Sequence, residues 1–570
     1  MRKCFVLPKD AVVESYRTAF NRIEINDVEI VSFDRSQDFL SKVKESAEDI
    51  ILLIPTILDP FNACSYDGVE YALRCYFHFV ETKQSNFGVV LLGTEEESAF
   101  WHHCEYAQIL KCPHISYIKN NIYTIKDYLN NADSITFNID WQDCIEQLKK
   151  INIRQPASYK THHSITNEWS IYRWSKCLKI KNIEIEKEIE DFLYFNYLKA
   201  IYTETGVEHS DLLFLFEKGK ILLIDDEVGK GWHSFFKSFC GRGAEFSSIG
   251  ESFKMLTQEE IIDSVEKKVK DFNPDVVVLD LRLHDDDFDS KDPLQLTGAK
   301  IFELIKTINK GIQIVIFSAS NKVWNYLPFA SDGVILKESP ELSIKYNYTQ
   351  ECIKNLRDTL TNCLKRKYLR ALFSSIATIK QSLPENDFGN AIAKQLDIAY
   401  YLISRAEKPE QFAFAYLSLY MIIELINKEK LNQDAGGILV VKNSGQQIKA
   451  WSCSGNILQD FSIKYDKAGN VLQDKNGNDI IINYAIGNEA SEWQKIVGIV
   501  KQEYLLNIDN DLIDLHKRIQ SRNWFIHNDD RIYQKGDNGK YKYTIQREIF
   551  AKEGFLKLFE HIEKICMCLN

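Results

Sequence analysis

The sequence predicts a multidomain protein of mixed class, α/β followed by α. Three observations carry that expectation. Two stretches, 1–130 and 219–345, alternate short apolar runs with segments of helical period, the rhythm of a parallel sheet covered by helices on both faces. After 345 the pattern turns helical to the end, with one interruption. Finally, 570 residues with 45% hydrophobic and 12% aromatic content are too many for one core and ample for several.

In the first stretch the strand-like runs are KCFVLP, DVEIVSF, DIILLI, FGVVLLG and HISYI, with helical segments such as GVEYALRCYFHFVE between them. Residues 131–218 read as a helical connector, IEIEKEIEDFLYFNYLKAIY being its clearest helix, and His162 and His163 there are expected at the surface. The second α/β stretch contributes KILLIDDE, AEFSSIG, DVVVLDLRL, IQIVIFSAS and GVILKE. Within the helical domain 346–570, residues 436–484 hold strand-like runs separated by KAGN and KNGN. That is turn chemistry, and it predicts a β-hairpin insertion.

Composition excludes some classes of function. A net charge of −11 argues against broad electrostatic capture of DNA, while leaving room for a local basic site on RNA. Thirteen scattered cysteines without a C-x-x-C pair suit a reducing compartment. The opening residues lack a signal-peptide core, and the longest apolar run, FAFAYLSLYMIIELI, is broken by Glu424 and is too short for a membrane span. It is expected as a buried helix in a cytoplasmic protein.

In 219–345 the polar residues of the strands fall at their C-terminal ends, which share one edge in a doubly wound sheet. They are Asp225 and Asp226, Asp280, Ser318 and Lys337. Three converging carboxylates repel one another, and a hard divalent cation resolves the repulsion. This set, in this order, resembles the receiver domain of two-component response regulators, a flavodoxin-like fold. The resemblance implies that Asp280 accepts a phosphoryl group from a sensor histidine kinase or phosphotransfer protein. It also implies that Asp225, Asp226, Asp280 and the backbone carbonyl of Arg282 hold Mg²⁺, while Ser318 and Lys337 bind the phosphoryl group. Two features depart from the family. Val334 stands where an aromatic residue is common, and the loop HDDDFDSKDPLQLTG is long and acidic, expected as a solvated charge run.

Laid over this pattern, 1–130 has Pro8 and Lys9 in place of the acidic pair and Ile54 in place of the acceptor. Thr94, Lys119 and the DGVEYA segment do match Ser318, Lys337 and TGAKIF. It resembles a degenerate receiver that cannot be phosphorylated, suited to docking or dimerisation.

The C-terminal stretch DLHKRIQSRNWFIHNDD (514–530) continues a helix whose apolar face carries Leu512, Leu515, Ile519 and Ile526. Arg522 falls on that face, where it is costly unless an anion or a partner meets it. His516, Gln520, Asn523 and His527 form a neighbouring polar stripe. Arg522, Asn523 and His527 resemble the R-x4-6-H motif of HEPN ribonucleases, helical bundles that act as dimers without a metal. The resemblance implies Arg522 on the scissile phosphate, His527 in proton transfer and Asn523 holding the imidazole tautomer. The whole then reads as a phosphorylation-regulated, RNA-cleaving homodimer of the toxin or antiphage-defence kind. The alternative is a non-catalytic, phospho-switched adaptor; a DNA-binding regulator fits less well, since nothing after 346 resembles a helix-turn-helix.

Overall fold

A strand with no polar residue at any position has to be covered on both faces, and the computed structural model contains two sheets with such strands at their centres, Ile50–Pro55 and Phe87–Gly93 in one and Val276–Leu279 in the other. It describes the chain apart from residues 1, 9–10, 23, 26–27, 33–49, 60, 63–64, 84–86, 133–139, 157–161, 182–183, 185–192, 203–215, 242, 291, 320–331, 344–346, 434–438, 449–450, 455–456, 461–465, 469, 474, 478–489, 505–508, 527–532, 536–540, 544–550 and 570. At 2, 32, 132, 162–163, 293, 409–410, 433, 452, 454, 457, 459–460, 520–526, 533–535 and 541–543 the backbone alone is described.

The first sheet comprises β1 (Arg2–Leu7), β2 (Val28–Ser32), β3 (Ile50–Pro55), β4 (Phe87–Gly93) and β5 (Ile115–Lys119), all parallel, in the order β2-β1-β3-β4-β5. Successive side chains point to opposite faces. Phe5, Leu7, Ile51, Leu53, Val90 and Leu92 therefore pack with Phe20, Ile125 and Leu129, while Cys4, Val6, Ile50, Leu52, Val89 and Leu91 pack with helix Asp67–Thr82.

The second sheet repeats this topology with β6 (Gly219–Ile224), β7 (Ala244–Ile249), β8 (Val276–Leu279), β9 (Gln313–Ser318) and β10 (Gly333–Leu336), parallel and ordered β7-β6-β8-β9-β10. One face, with Ile221, Leu223, Val276, Val278, Val315 and Phe317, meets Trp232, Phe235 and Phe236 of helix Trp232–Cys240.

The segment expected as a connector is built into this same core. Trp169, Ile171 and Trp174 of helix His162–Leu178 and Phe195 and Leu198 of helix Leu193–Ile201 are buried in it. Helix Tyr348–Lys365 joins them through Ile353, Leu356, Leu360 and Leu364. The chain accordingly divides into two compact units, Met1–Ile305 with Gln313–Lys365, and Lys306–Ile312 with Arg366–Asn570. The division falls after Lys365 rather than after 345 because that helix buries its apolar stripe on the second sheet.

The second unit is mainly helical. Helices Tyr368–Ser382, Asp387–Ser404, Pro409–Lys430, Glu492–Gly498, Asp509–Ile526 and Lys552–Cys566 enclose a core that includes Ile376, Leu396, Tyr416, Ile423, Trp493, Leu515 and Phe555. The long apolar run lies in helix Pro409–Lys430 with Tyr416, Leu419 and Ile423 fully buried or nearly so. No described helix is long and apolar enough to cross a membrane.

Antiparallel strands begin at Leu431, directly after that helix: β11 (Leu431–Gln433), β12 (Leu439–Val441) and β13 (Gln447–Ile448) form one sheet, and β14 (Trp451–Ser454) pairs with β15 (Ile457–Asp460). The KAGN turn is closed by Asp466, whose Oδ1 accepts the N–H groups of Ala468 and Asn470 at 2.8 Å. A further hairpin, β16 (Tyr533–Lys535) with β17 (Tyr541–Tyr543), stands where the sequence reading had only helix. Its sequence signal is the Gly-Asp-Asn-Gly stretch between two tyrosine-bearing segments, weak beside the helical pattern around it. All the described cysteines are free thiols, most of them buried.

Candidate functional site

Parallel strands in register deliver their C-terminal residues to one edge. Ile224 of β6 pairs with Leu279 of β8, and Ser318 of β9 with Leu336 of β10, so Asp225, Asp280, Ser318 and Lys337 emerge side by side. Backbone bonds extend the ladder into the site, from Asp280 N–H to the Ile224 carbonyl at 2.9 Å and from Lys337 N–H to the Ser318 carbonyl at 2.8 Å. The structure thus brings together all five residues singled out in this part of the sequence.

The Lys337 ammonium bridges two carboxylates, donating to Asp225 Oδ2 at 2.9 Å and to Asp280 Oδ2 at 2.8 Å, with all three side chains wholly buried. Its nitrogen also lies 4.6 Å from the Phe317 ring centroid and 5.4 Å from that of Trp232. The other oxygens are held by backbone. Asp225 Oδ1 accepts Glu227 N–H at 2.8 Å, and Asp280 Oδ1 accepts Leu281 N–H at 2.6 Å and Arg282 N–H at 3.3 Å. Ser318 is buried alongside. Asp226 reaches the surface in part, yet its Oδ1 is buried without a hydrogen-bond partner among the described residues.

One ammonium faces three carboxylates whose ligand oxygens lie within 4.8 Å of one another, the one such group among the described residues. The imbalance shows in their acidities. Burial, then the neighbouring charges of Asp225, Glu227 and Asp280, push the Asp226 carboxyl up to about 9. Burial also raises Asp225, Lys337 opposing it and Asp280 adding to it. Burial alone would lower the Lys337 pKa, but the Asp225 and Asp280 charges outweigh it and hold the ammonium well above its ordinary range.

Asp226 gives this crevice a characteristic pH dependence. The folded protein keeps the Asp226 proton up to about pH 9, whereas the unfolded chain releases it near its ordinary value of 3.8. The folded state then binds more protons at this group, so the Asp226 contribution to stability is fully present below that ordinary value and is lost as pH rises toward about 9. Asp226→Asn is expected to flatten the decline, and denaturant unfolding of both proteins between pH 5 and 9 checks it; equal slopes would contradict the assignment.

The acidic loop after Asp280 is solvated only in part. Asp285, Asp286, Asp289 and Asp292 are exposed, as expected of a charge run. Asp287 is instead 1% exposed and pins the loop, accepting Leu283 N–H at 2.8 Å, His284 N–H at 3.0 Å, Thr297 N–H at 2.9 Å and the Thr297 hydroxyl at 3.0 Å. The next residue, Gly298, lies so near the acceptor strand that a Cβ there would come within 2.4 Å of the Asp280 carbonyl oxygen. Gly68 does the same in the first sheet, 1.8 Å from the Pro55 oxygen, which is the physical basis of the DGVEYA–TGAKIF match.

At the corresponding edge of the first sheet, Ile54 is fully buried, Thr94 is exposed, and Lys119 is exposed and paired with Glu96. Lys9 lies outside the described residues, and Pro8 follows β1 as expected.

In the second unit, helix Asp509–Ile526 carries the C-terminal motif, with Leu512, Leu515 and Ile519 buried as its apolar stripe requires. Arg522 and Asn523 fall in its last turn, where the backbone alone is described, and His527 lies outside the described residues. His516 is half-buried, its ring 4.4 Å from that of Trp493.

Another buried acid beside the site, besides Asp287, does not stand out in the sequence. Glu338 follows Lys337 and is wholly buried, bound by the Trp174 indole N–H at 2.9 Å, the Thr349 hydroxyl at 2.9 Å and the Ser343 hydroxyl. Its signal is a second charged residue at the end of an otherwise apolar strand. Comparison with protein-family models, curated proteins and solved structures finds no significant match.

Proposed function

We propose that the second sheet is a receiver-like, phosphoryl-accepting domain and that it regulates an RNA-cleaving, HEPN-like activity in the helical unit. The observation that carries the first half is the buried Lys337 ammonium shared between Asp225 and Asp280 beside the unsatisfied Asp226 oxygen. Three carboxylates and one cation leave the crevice short of positive charge, and an all-oxygen donor set suits a hard divalent ion. Asp225, Asp226, Asp280 and the Arg282 carbonyl would hold Mg²⁺, which supplies charge neutralisation for an incoming phosphoryl group.

The residues then divide the work. A carboxylate oxygen of Asp280 attacks phosphorus in a phosphohistidine donor. The P–N bond breaks, and the departing imidazole keeps the electron pair and takes up a proton. Lys337 turns from Asp225 toward the phosphoryl oxygens, and the Ser318 hydroxyl donates to another of them.

The second half rests on the sequence motif Arg522, Asn523 and His527, whose first two residues lie in the last turn of helix Asp509–Ile526. His527 would take the proton of an RNA 2′-hydroxyl as that oxygen attacks the adjacent phosphorus, Arg522 would stabilise the charge, and the leaving 5′-oxygen would gain a proton to give a 2′,3′-cyclic phosphate. Pairing of two such motifs in a homodimer completes the reading. His527→Ala is expected to lower cleavage of single-stranded RNA by ~10²–10⁴-fold. Purified protein showing no cleavage in either phosphorylation state, with its assembly still responding to phosphorylation, would leave the adaptor.

A further inference from the structure

We propose that Glu338 and helix His162–Leu178 form a relay, in which Glu338 positions Lys337 from behind and passes a change of charge in the crevice to this helix and on to the first sheet. The proposal rests on reading the crevice as a cation and phosphoryl site, and it adds a route by which that site is sensed.

Several contacts join the helix to the crevice, among them the Trp174 and Trp232 rings with centroids 5.7 Å apart and an Arg173–Glu338 ion pair at 3.8 Å. Glu168 accepts from Lys230 at 3.2 Å, and Lys230 also pairs with Glu227, the neighbour of Asp226, at 3.1 Å. Asn167 Oδ1 accepts the Trp232 indole N–H at 3.4 Å, and the Trp232 ring lies beside Lys337. Ser170 donates to the Glu338 carbonyl at 2.9 Å, while Trp174 donates to its carboxylate. Lys337 and Glu338 follow β10 in succession, and their side chains have separate partners, Lys337 the crevice carboxylates and Glu338 the Trp174 indole and the Thr349 hydroxyl.

A second stripe of the same helix faces the first sheet. Tyr172 donates to Glu81 Oε1 at 2.9 Å and Lys176 at 3.3 Å, and Glu81 belongs to helix Asp67–Thr82. Residues 172 and 176 are one turn apart, as are 170 and 174, so one rigid element carries both contact sets. Phosphorylation places about two negative charges where Lys337 now spans Asp225 and Asp280. Lys337 reaches for them from a backbone it shares with Glu338, and a shift of that backbone carries the Glu338 carboxylate with it. A buried, multiply bonded carboxylate transmits such a shift because leaving any of its partners unsatisfied is costly.

The full chain labelled with 5-fluorotryptophan tests this by ¹⁹F NMR, with Trp174 and Trp232 assigned through Trp174→Phe and Trp232→Phe. Adding Mg²⁺ and beryllofluoride is expected to shift both resonances in the wild type and neither in Asp280→Asn. In Glu338→Gln the Trp232 shift is expected to survive and the Trp174 shift to disappear, and Thr349→Val, which removes one Glu338 bond, should diminish it. A Trp174 resonance that stays put while Trp232 moves, or that moves equally in Glu338→Gln, overturns the relay and leaves the site reading standing. Calorimetry that detects no Mg²⁺ binding overturns the site reading and the relay with it.

Discussion

Lys337→Met is expected to destabilise the first unit by ~3–5 kcal/mol near neutral pH, the cost of leaving buried carboxylates without their cation. The side chain is wholly buried and donates to two acids at once, so little solvent screening softens the loss. Methionine preserves much of the volume and the packing against Phe317 and Trp232, which confines the effect to charge. Two compensations are open to the variant: Asp225 and Asp280 can take up protons, or a divalent ion can replace the ammonium. Mg²⁺ should therefore raise the melting temperature of Lys337→Met more than that of the wild type, as a ligand binding only the folded state does. Calorimetric scans with and without Mg²⁺ measure both. A variant as stable as the wild type in the absence of the ion would show that the Lys337 bridge does not hold these carboxylates.

Asp280→Asn is expected to do the opposite, abolishing function at little cost in stability. An amide cannot accept a phosphoryl group, so stabilisation by Mg²⁺ with beryllofluoride should fall to background. Yet the variant retains the Lys337–Asp225 pair, and its side-chain oxygen can still accept the Leu281 N–H. It also removes one of the two negative charges that stand beside the protonated Asp226, and in the absence of Mg²⁺ its stability should lie within about 1 kcal/mol of the wild type or above it. Stability relinquished in order to crowd like charges is the signature of a site kept for chemistry rather than for folding. A loss of several kcal/mol would instead make Asp280 a structural acid.

Much of this was legible in the chain itself. Apolar runs such as VVVL and IVIF can only be central parallel strands, and their one polar terminus each, Asp280 and Ser318, locates the edge where a site can form. The DGVEYA and TGAKIF segments mark equivalent helix starts beside the two sheets, with glycine at 68 and 298. What escaped depends on contacts distant in sequence. Nothing in ITNEWSIYRWSKC announces that Trp174 will reach Glu338, because periodicity records which face is apolar and not what covers it. In sequence Asp287 resembles its exposed neighbours, since a run of acids carries no sign of which one will find five donors. Helix Tyr348–Lys365 was assigned to the following domain because helical period alone does not say which core the helix completes.

The central claim is that Asp280 receives a phosphoryl group, and direct phosphorylation tests it most simply. The full chain would be incubated with acetyl phosphate and Mg²⁺, and the modified residue located by mass spectrometry after trapping with hydroxylamine. The expected result is a hydroxylamine-sensitive acyl phosphate on Asp280 that requires Mg²⁺ and is absent with EDTA. An unmodified protein under these conditions, or modification confined to another residue, would contradict it.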